Sequence, residues 1–100
     1  MTTLAVVGTF EVLPGGKDRL LALLMAHRAR CLAHEPGTLQ LEVLEPVEDD
    51  ATVLVYEAYR DSAAFNAHLS GPSLAQFRRE SAEAFAKFSV TRCTVLEAAA

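Results

Sequence analysis

Three polar side chains in the middle of the chain have residue types and a spacing that suit acid–base chemistry. Glu57 and Tyr59 interrupt an otherwise apolar run, and His68 follows on the next predicted element. An imidazole has an ordinary pKa of about 6.5, which suits proton transfer near neutral pH. A carboxylate becomes a usable base when burial raises its pKa, and a phenol can stabilise a developing oxyanion. The stretch predicts a pocket with His68 as the first candidate base and Glu57 as the second.

The same residues also have structural explanations, which the sequence leaves open. A buried carboxylate such as Glu57 is usually paired with a cation or with backbone amides. His68 would equally suit a hydrogen bond at a helix end or at a seam between subunits, and Tyr59 would suit a packed core. Arg79 could steady an oxyanion or lie on a solvated surface. The residue types alone do not separate these roles.

Periodicity divides the chain into strands and helices. Apolar residues alternate with period two in four segments, which predicts strands at Leu4 to Val12, Leu39 to Val43, Thr52 to Tyr59 and Phe88 to Leu96. Helical spacing and capping residues predict helices at Lys17 to about His34, at Ser62 to Leu69, and from Pro72 onward. The buried face of the last helix is predicted to carry Leu74, Phe77, Ser81 and Phe85.

The order of these elements is β-α-β-β-α-β, which is the order of the ferredoxin-like fold. It predicts one α+β domain over residues 1–100, with a four-stranded antiparallel sheet and the helices on one face. The strands carry apolar residues on both faces in places. A sheet with two apolar faces needs two covers, so the sheet of a second subunit is expected to cover the face that the helices leave free.

Parity groups the candidate site residues. Val55, Glu57 and Tyr59 share one face of the third strand, because side chains alternate along a strand. Phe65 and His68 share one side of the next helix. If this strand face meets the helices, these side chains wall one pocket that is apolar with a few polar groups, as small-ligand sites generally are.

Composition narrows the class of protein. Hydrophobic residues make up 51% of the 100 residues, so a domain of this size would expose apolar surface, and a homo-oligomer is expected. The net charge is −4 and the basic residues are scattered, which argues against nucleic-acid binding. No apolar run approaches the ~20 residues that span a bilayer, and the first residues lack a signal-peptide pattern. Cytoplasm is the default location.

Other chemistries find no support in residue spacing. The histidines do not form a metal-binding pattern such as HxH or HExxH, so no metal site is predicted. Cys31 and Cys93 are expected to be reduced thiols. Neither has an evident base beside it, so a thiol nucleophile is not expected. His27 is expected to be a packing residue of the first helix, with the pocket wall as the alternative.

Two stretches, EPGTLQLEVL and VYEAYRDSAAFNAHLSGP, resemble the antibiotic biosynthesis monooxygenase (ABM) family, which includes quinol monooxygenases. The matching residues are Glu35-Pro36-Gly37, Tyr56-Glu57-x-Tyr59, Ala67-His68-Leu69, Pro72 and Phe77. The resemblance covers nearly the whole chain. It implies a dimeric α+β barrel in which the ligand cavity lies between the sheet and the helices.

The resemblance also implies oxygen chemistry that needs no cofactor and no metal. A small electron-rich aromatic substrate, such as a quinol, phenol or anthrone, gives up a proton, and its anion passes an electron to molecular oxygen. The protein supplies a dry cavity, a base and hydrogen bonds to the anion. In this interpretation His68 and Glu57 are catalytic, and the substrate contacts are Tyr59, Val55, Phe65, Phe77 and Arg79.

The chain differs from the family pattern at positions that haem-degrading members use. The family often has Trp at the position of Tyr59, and this chain contains no Trp. Haem-degrading members have an Asn on the first strand, where this chain offers Gly8 and Thr9. Their His ligand lies on the later helix, where this chain reads Phe77-Arg78-Arg79. Haem degradation is therefore disfavoured.

A non-catalytic small-molecule-binding or signalling protein of the same dimeric fold is the alternative function. Its pocket would hold a small apolar molecule, and the polar residues would only orient it. A structural protein with a filled core is a third possibility, which predicts no cavity. An open cavity lined by Glu57, Tyr59 and His68 would be compatible with the monooxygenase and with the small-molecule-binding protein.

Overall fold

The protein is described by a computed structural model that covers residues 3–96. Its strands are β1 (Leu4–Val12), β2 (Thr38–Leu44), β3 (Thr52–Tyr59) and β4 (Phe85–Thr94). Its helices are α1 (Lys17–His34), α2 (Ser62–Leu69) and α3 (Pro72–Ser81). The predicted bounds of β1, α1, β3 and α2 are confirmed, and β2 is one residue longer at each end than predicted.

The four strands form one antiparallel sheet in the order β2-β3-β1-β4. This topology confirms the ferredoxin-like α+β fold that the order of elements predicts. The first helix, α1, packs against both β2 and α3. None of the helices within residues 3–96 combines the length and the apolar character required to cross a bilayer.

One face of the sheet forms the hydrophobic core with the helices. Phe10 of β1 and Val55 of β3 pack with Leu24 of α1 and Phe77 of α3. The register places the next helix-facing residue of β3, Glu57, in the same row of inward-pointing side chains. The face of β3 that carries the candidate site residues is therefore the face that meets the helices.

The prediction that Phe85 belongs to the last helix is wrong. Helix α3 ends at Ser81, and the chain turns at Ala84, whose N–H donates to the Ser81 carbonyl oxygen at 2.9 Å. Phe85 begins β4, and its ring centroid lies 4.8 Å from that of Phe10. A helix and a strand would both bury this ring in the same core, so helical spacing alone misassigned it. Strand β4 therefore starts earlier than predicted, and it ends at Thr94.

The opposite face of the sheet carries apolar side chains that are partly exposed. Val7 of β1 is 41% exposed and Leu44 of β2 is 46% exposed, whereas Leu54 and Tyr56 of β3 are half-buried. The strand registers place Val7 opposite Tyr56 and Leu44 opposite Leu54. These four residues form one apolar surface, called the outer sheet face below.

Replacement of Leu24 by Ala tests the orientation of α1. Leu24 is 2% exposed in the core, whereas the next residue, Met25, is 52% exposed. Leu24→Ala should lower the free energy of unfolding by roughly 2–5 kcal/mol, because it deletes buried methyl groups and leaves a cavity. Met25→Ala should change it by less than about 0.5 kcal/mol. Urea unfolding followed by circular dichroism measures both, and equal losses would contradict the assigned orientation.

Candidate functional site

A cavity of about 220 Å³ lies between the sheet and the helices. Its walls are mostly apolar, and its polar lining consists of His27, Glu57, His68 and Arg78. Phe88 and Val90 line it from the edge strand β4 and are 42% and 50% exposed, so the cavity opens beside this strand. The presence of a cavity contradicts the possibility of a structural protein with a filled core.

The structure brings most of the predicted site residues to this cavity. Those that line it are Val55, Glu57, Phe65, His68 and Phe77. Tyr59 lies behind the lining, fully buried, with its ring centroid 5.4 Å from that of His68. Arg79 is exposed on α3 and is not part of the lining, whereas Arg78 is. Adjacent residues on a helix point about 100° apart, and the sequence offered no means of choosing between these two arginines.

His68 is held by a partly buried hydrogen bond to Glu35. Its Nδ1 lies 2.8 Å from Glu35 Oε1, and the Thr38 hydroxyl donates to the same oxygen at 2.8 Å. Burial opposes ionisation of Glu35, but the hydrogen bonds from His68 and Thr38 outweigh it, so the pKa of Glu35 lies below its ordinary value. An ionised carboxylate can only accept hydrogen bonds, so Nδ1 of His68 carries a proton. In a neutral imidazole the lone pair is then on Nε2, on the other side of the ring.

Nε2 of His68 faces a second carboxylate. It lies 4.0 Å from Glu57 Oε1, and the Tyr59 hydroxyl donates a hydrogen bond to the same Glu57 oxygen. Burial and the neighbouring Glu57 carboxylate raise the pKa of the Tyr59 phenol, so the phenol stays protonated and remains a donor. The imidazole is therefore placed between two carboxylates, with Glu35 on one side and the Tyr59-bonded Glu57 on the other.

The turn before β2 approaches α2 closely enough to place Glu35 beside His68. Gly37 makes this approach possible, because a Cβ at this position would lie 2.4 Å from the Cβ of Ala64. Asp61 caps the first turn of α2 by accepting a hydrogen bond from the Ala64 N–H at 2.8 Å. The glycine of the turn and the capped start of the helix together determine where His68 meets Glu35.

Two residues of α1, His27 and Cys31, join the same polar cluster. The Sγ of Cys31 lies 3.5 Å from His27 Nε2 and 3.8 Å from His68 Nδ1. The expectation that neither cysteine has a base beside it is therefore wrong for Cys31. Residues four apart lie on the same face of a helix, which brings His27 next to Cys31, and the packing of α2 adds His68, which residue spacing could not reveal.

Burial keeps both of these α1 groups uncharged at neutral pH. Together with the nearby His68, it lowers the pKa of His27 to about 4. Together with the Glu35 and Glu57 carboxylates, it raises the pKa of the Cys31 thiol to about 12. The nucleophilic form of cysteine is the thiolate, so Cys31 is held in its unreactive thiol form.

Sequence reasoning assigned no role in the site to Glu35 or Cys31. Glu35 was visible in the sequence as the first residue of the Glu35-Pro36-Gly37 turn, but nothing local indicates that the turn reaches α2. His27 and Cys31 were visible as members of one helix face. Of the two roles expected for His27, packing and lining the pocket, the structure supports both, since the ring is buried and lines the cavity.

Comparison with known proteins assigns the chain to a family. The family model described as "Antibiotic biosynthesis monooxygenase" matches residues 3–88. This chain belongs to the antibiotic biosynthesis monooxygenase family. The matched range contains all four residues of the hydrogen-bonded arrangement around the cavity, which are Glu35, Glu57, Tyr59 and His68. The ABM resemblance of the sequence is thereby confirmed.

Curated relatives include a protein from two strains of Mycobacterium tuberculosis that is named heme oxygenase (mycobilin-producing). It is 32% identical to this chain over 69 residues, which is 69% of this chain and 65% of the relative. The chain thus spans slightly less than two thirds of the length of these relatives.

Solved structures of bacterial proteins share the fold over nearly their whole length. A Mycobacterium tuberculosis protein is 25% identical with a TM-score of 0.85, covering 98% of this chain and 99% of that one. A Nitrosomonas europaea protein is 26% identical with a TM-score of 0.82, covering 100% and 95%. A Pseudomonas aeruginosa protein is 24% identical with a TM-score of 0.87, covering 97% of each chain.

Replacement of His27 by Phe tests the burial of a neutral imidazole. The ordinary pKa of 6.5 applies in the unfolded chain, whereas the folded protein holds the pKa of His27 at about 4. Between these values the unfolded state binds more protons, so the stability of the wild type should fall as the pH drops from about 6.5 to about 4. His27→Phe should flatten this dependence, because Phe does not titrate and can pack on Phe77, whose ring centroid lies 5.1 Å from that of His27.

Urea unfolding at a series of pH values measures this difference. The exposed His34, at the end of α1, supplies the control, because His34→Gln should leave the slope of stability against pH unchanged. If His27→Phe kept the slope of the wild type, the neutral state assigned to His27 would be wrong.

Proposed function

We propose that this ABM protein is a cofactor-independent monooxygenase acting on a small aromatic substrate of the quinol, phenol or anthrone type. The observation that supports this function is the oriented imidazole of His68, with Nδ1 bonded to Glu35 and the ring lining an apolar cavity. A carboxylate that holds one nitrogen of a histidine fixes the tautomer and aims the other nitrogen, as in hydrolase triads. Family membership supports oxygen insertion as the reaction type.

In the proposed reaction, Nε2 of His68 takes a proton from an acidic C–H or O–H group of the substrate. The anion passes one electron to O₂, and the resulting substrate radical and superoxide combine to form a C–O bond. The proton then returns to the peroxide, and cleavage of its O–O bond leaves a carbonyl group on the substrate. One oxygen atom enters the substrate, and the other leaves as water with the two hydrogens that the substrate loses. No external electron donor is required.

The other cavity residues have supporting roles in this proposal. Glu57 is the second candidate base, and Tyr59 acts through its hydrogen bond to Glu57, since it does not line the cavity. Phe65 and Phe77 supply apolar walls, with Val55 at the sheet. The oxyanion role first expected of Arg79 passes to the adjacent Arg78, whose side chain reaches the lining.

The dimensions of the cavity favour a small aromatic molecule over haem. The volume of about 220 Å³ lies below the roughly 300–1,000 Å³ of sites for drug-sized ligands. On β1, a Cβ at Gly8 would lie 2.6 Å from the Phe88 ring and 2.9 Å from Val55, so this position leaves no room for a side chain. The first-strand Asn that the sequence resemblance associates with haem degradation therefore has no counterpart at Gly8.

A non-catalytic small-molecule-binding protein of the same fold is the second candidate. It is favoured by one specific residue, Tyr59, which occupies the position of the Trp that the family often has. In such a protein the cavity would hold its ligand, and Glu35 and His68 would only orient it. The two functions differ in whether the protein catalyses oxygen consumption when it binds an aromatic molecule.

Oxygen uptake by the purified, metal-free protein with a panel of quinols, phenols and anthrones tests the proposal. His68→Ala should lower the rate above autoxidation by roughly 10²–10⁴-fold, which is the usual contribution of a general base. Glu35→Gln should lower kcat and change its pH profile, because the neutral amide does not stabilise an imidazolium and its NH2 group can donate to Nδ1 and favour the other tautomer. The exposed His34 supplies the matched control, and His34→Ala should keep the rate of the wild type.

The possible outcomes separate the candidates. An unchanged rate of oxygen uptake in His68→Ala would be consistent with an enzyme but would contradict the assignment of His68 as its base. Binding of panel molecules without oxygen uptake would favour the non-catalytic protein. Oxygen uptake with haem alone would overturn the assignment of a small aromatic substrate.

We also propose that two copies associate through the outer sheet face to form a homodimer. The proposal is supported by the partly exposed apolar surface of Val7, Leu44, Leu54 and Tyr56. This surface lies on the face of the sheet that does not pack against the helices. Association would bury this surface, as expected for a sheet with two apolar faces. The dimeric barrel implied by the ABM resemblance agrees with this arrangement.

Replacement of Leu54 or Tyr56 by Asp tests the dimer. The wild type should sediment as a dimer and unfold at a temperature that rises with protein concentration. Leu54→Asp and Tyr56→Asp should sediment as monomers, because each places an unpaired charge in the apolar contact. Met25→Asp, on the exposed side of α1, should sediment as the wild type does. Unchanged sedimentation of both sheet variants would contradict this interface.

A further inference from the structure

We infer that His27, Cys31 and His68 form a binding site for a metal ion of the Zn²⁺ class at the inner end of the cavity. One ligand atom from each residue lies within 4.8 Å of the other two. All three side chains are buried, and none of them is more than 3% exposed. Two come from one face of α1 and the third from α2, so the cluster exists only in the folded chain.

Two of the three distances between the ligand atoms are close to the edges of a tetrahedral metal site. Zinc lies about 2.3 Å from a cysteine sulfur and about 2.0–2.1 Å from a histidine nitrogen, which places sulfur and nitrogen about 3.6 Å apart in a tetrahedron. The Cys31 Sγ lies 3.5 Å from His27 Nε2 and 3.8 Å from His68 Nδ1. It also lies 3.6 Å from His27 Nδ1, so the His27 ring would have to rotate to point one nitrogen at the ion. The remaining edge, between the two imidazole nitrogens, is at most 4.8 Å and would have to close to about 3.4 Å.

Glu35 offers a fourth donor and the charge that a divalent ion requires. Its Oε1 lies 2.8 Å from His68 Nδ1. Its Oε2 is buried and makes no hydrogen bond within the described residues. A thiolate from Cys31 and the Glu35 carboxylate would together neutralise the charge of the ion, which removes the main cost of placing a cation in a buried site.

The donor set identifies the class of metal. One thiolate with two imidazoles suits Zn²⁺ and other borderline or soft ions, whereas Mg²⁺ and Ca²⁺ prefer oxygen ligands. Binding would release the Cys31 thiol proton to solvent and shift the proton of His68 from Nδ1 to Nε2. Metal affinity should therefore increase with pH, because protons leave the ligands when the ion enters.

This site shares His68 with the proposed oxygenase site, but its test does not depend on that function. The ion would take Nδ1 of His68 in place of the hydrogen bond to Glu35, whereas the proposed reaction uses the metal-free protein. Absorption spectra of the metal-loaded protein report on the site without any substrate. Failure of one proposal therefore leaves the other unaffected.

Titration of the reduced, metal-free protein with Co²⁺, a spectroscopic substitute for Zn²⁺, tests the inference. The wild type should bind one equivalent, with a thiolate-to-cobalt charge-transfer band and the intense visible bands of tetrahedral cobalt. Added Zn²⁺ should remove both. Cys31→Ser should lose the charge-transfer band and bind more than about 100-fold more weakly, which exceeds the usual effect of losing an outer-shell partner.

Cys93 supplies the matched control, because it is the other free cysteine and lies on β4, away from the cluster. Cys93→Ser should keep the band and the affinity of the wild type. His27→Gln provides a second variant in case Cys31→Ser does not fold, and it should weaken binding by more than about 10-fold. Absence of the charge-transfer band in the wild type, or its loss in Cys93→Ser alone, would overturn the inference.

Discussion

The partly buried hydrogen bond between Glu35 and His68 is the interaction on which the site depends. It joins the turn before β2 to α2, which are far apart in the chain, and it fixes the proton on Nδ1 of the imidazole. Breaking it would leave a carboxylate without its partner in a buried setting, which costs more than the hydrogen bond itself contributes. The orientation of His68 toward the cavity is therefore a property of the whole packing arrangement.

The surroundings of this bond limit which groups carry charge. Burial keeps His27 neutral and Cys31 and Tyr59 protonated at neutral pH. Two carboxylates, those of Glu35 and Glu57, remain on either side of the imidazole of His68.

The two faces of the single sheet have different roles in this small domain. The inner face, with Phe10 and Val55, builds the core and one wall of the cavity. At Gly8 the sheet presents no side chain, so the Phe88 ring lies directly against the backbone and closes part of the space. The outer sheet face is apolar and partly exposed, and it is the surface proposed to bind a second subunit.

The sequence by itself determined the fold, because periodicity, turn residues and caps are local signals that act independently of the rest of the chain. It also placed Glu57 and Tyr59 on one strand face and Phe65 and His68 on one helix side. Alternation along a strand and spacing along a helix are geometric necessities, so these groupings held in the structure. The family resemblance was readable in the same residues.

Only the tertiary structure decided which groups from different elements meet. Glu35 reaches His68 because Gly37 allows the turn to pack closely against α2. Cys31 of α1 lies 3.8 Å from His68 of α2, although 37 residues separate them in the chain. Tyr59 lies behind the cavity, and Arg78 lines it in place of Arg79. Phe85 was predicted in a helix but lies in β4 for a related reason. Burial in a core constrains the side chain but does not determine whether a helix or a strand carries it. Contacts between distant segments depend on packing angles and close approaches, and a periodic pattern within one segment carries no information about them.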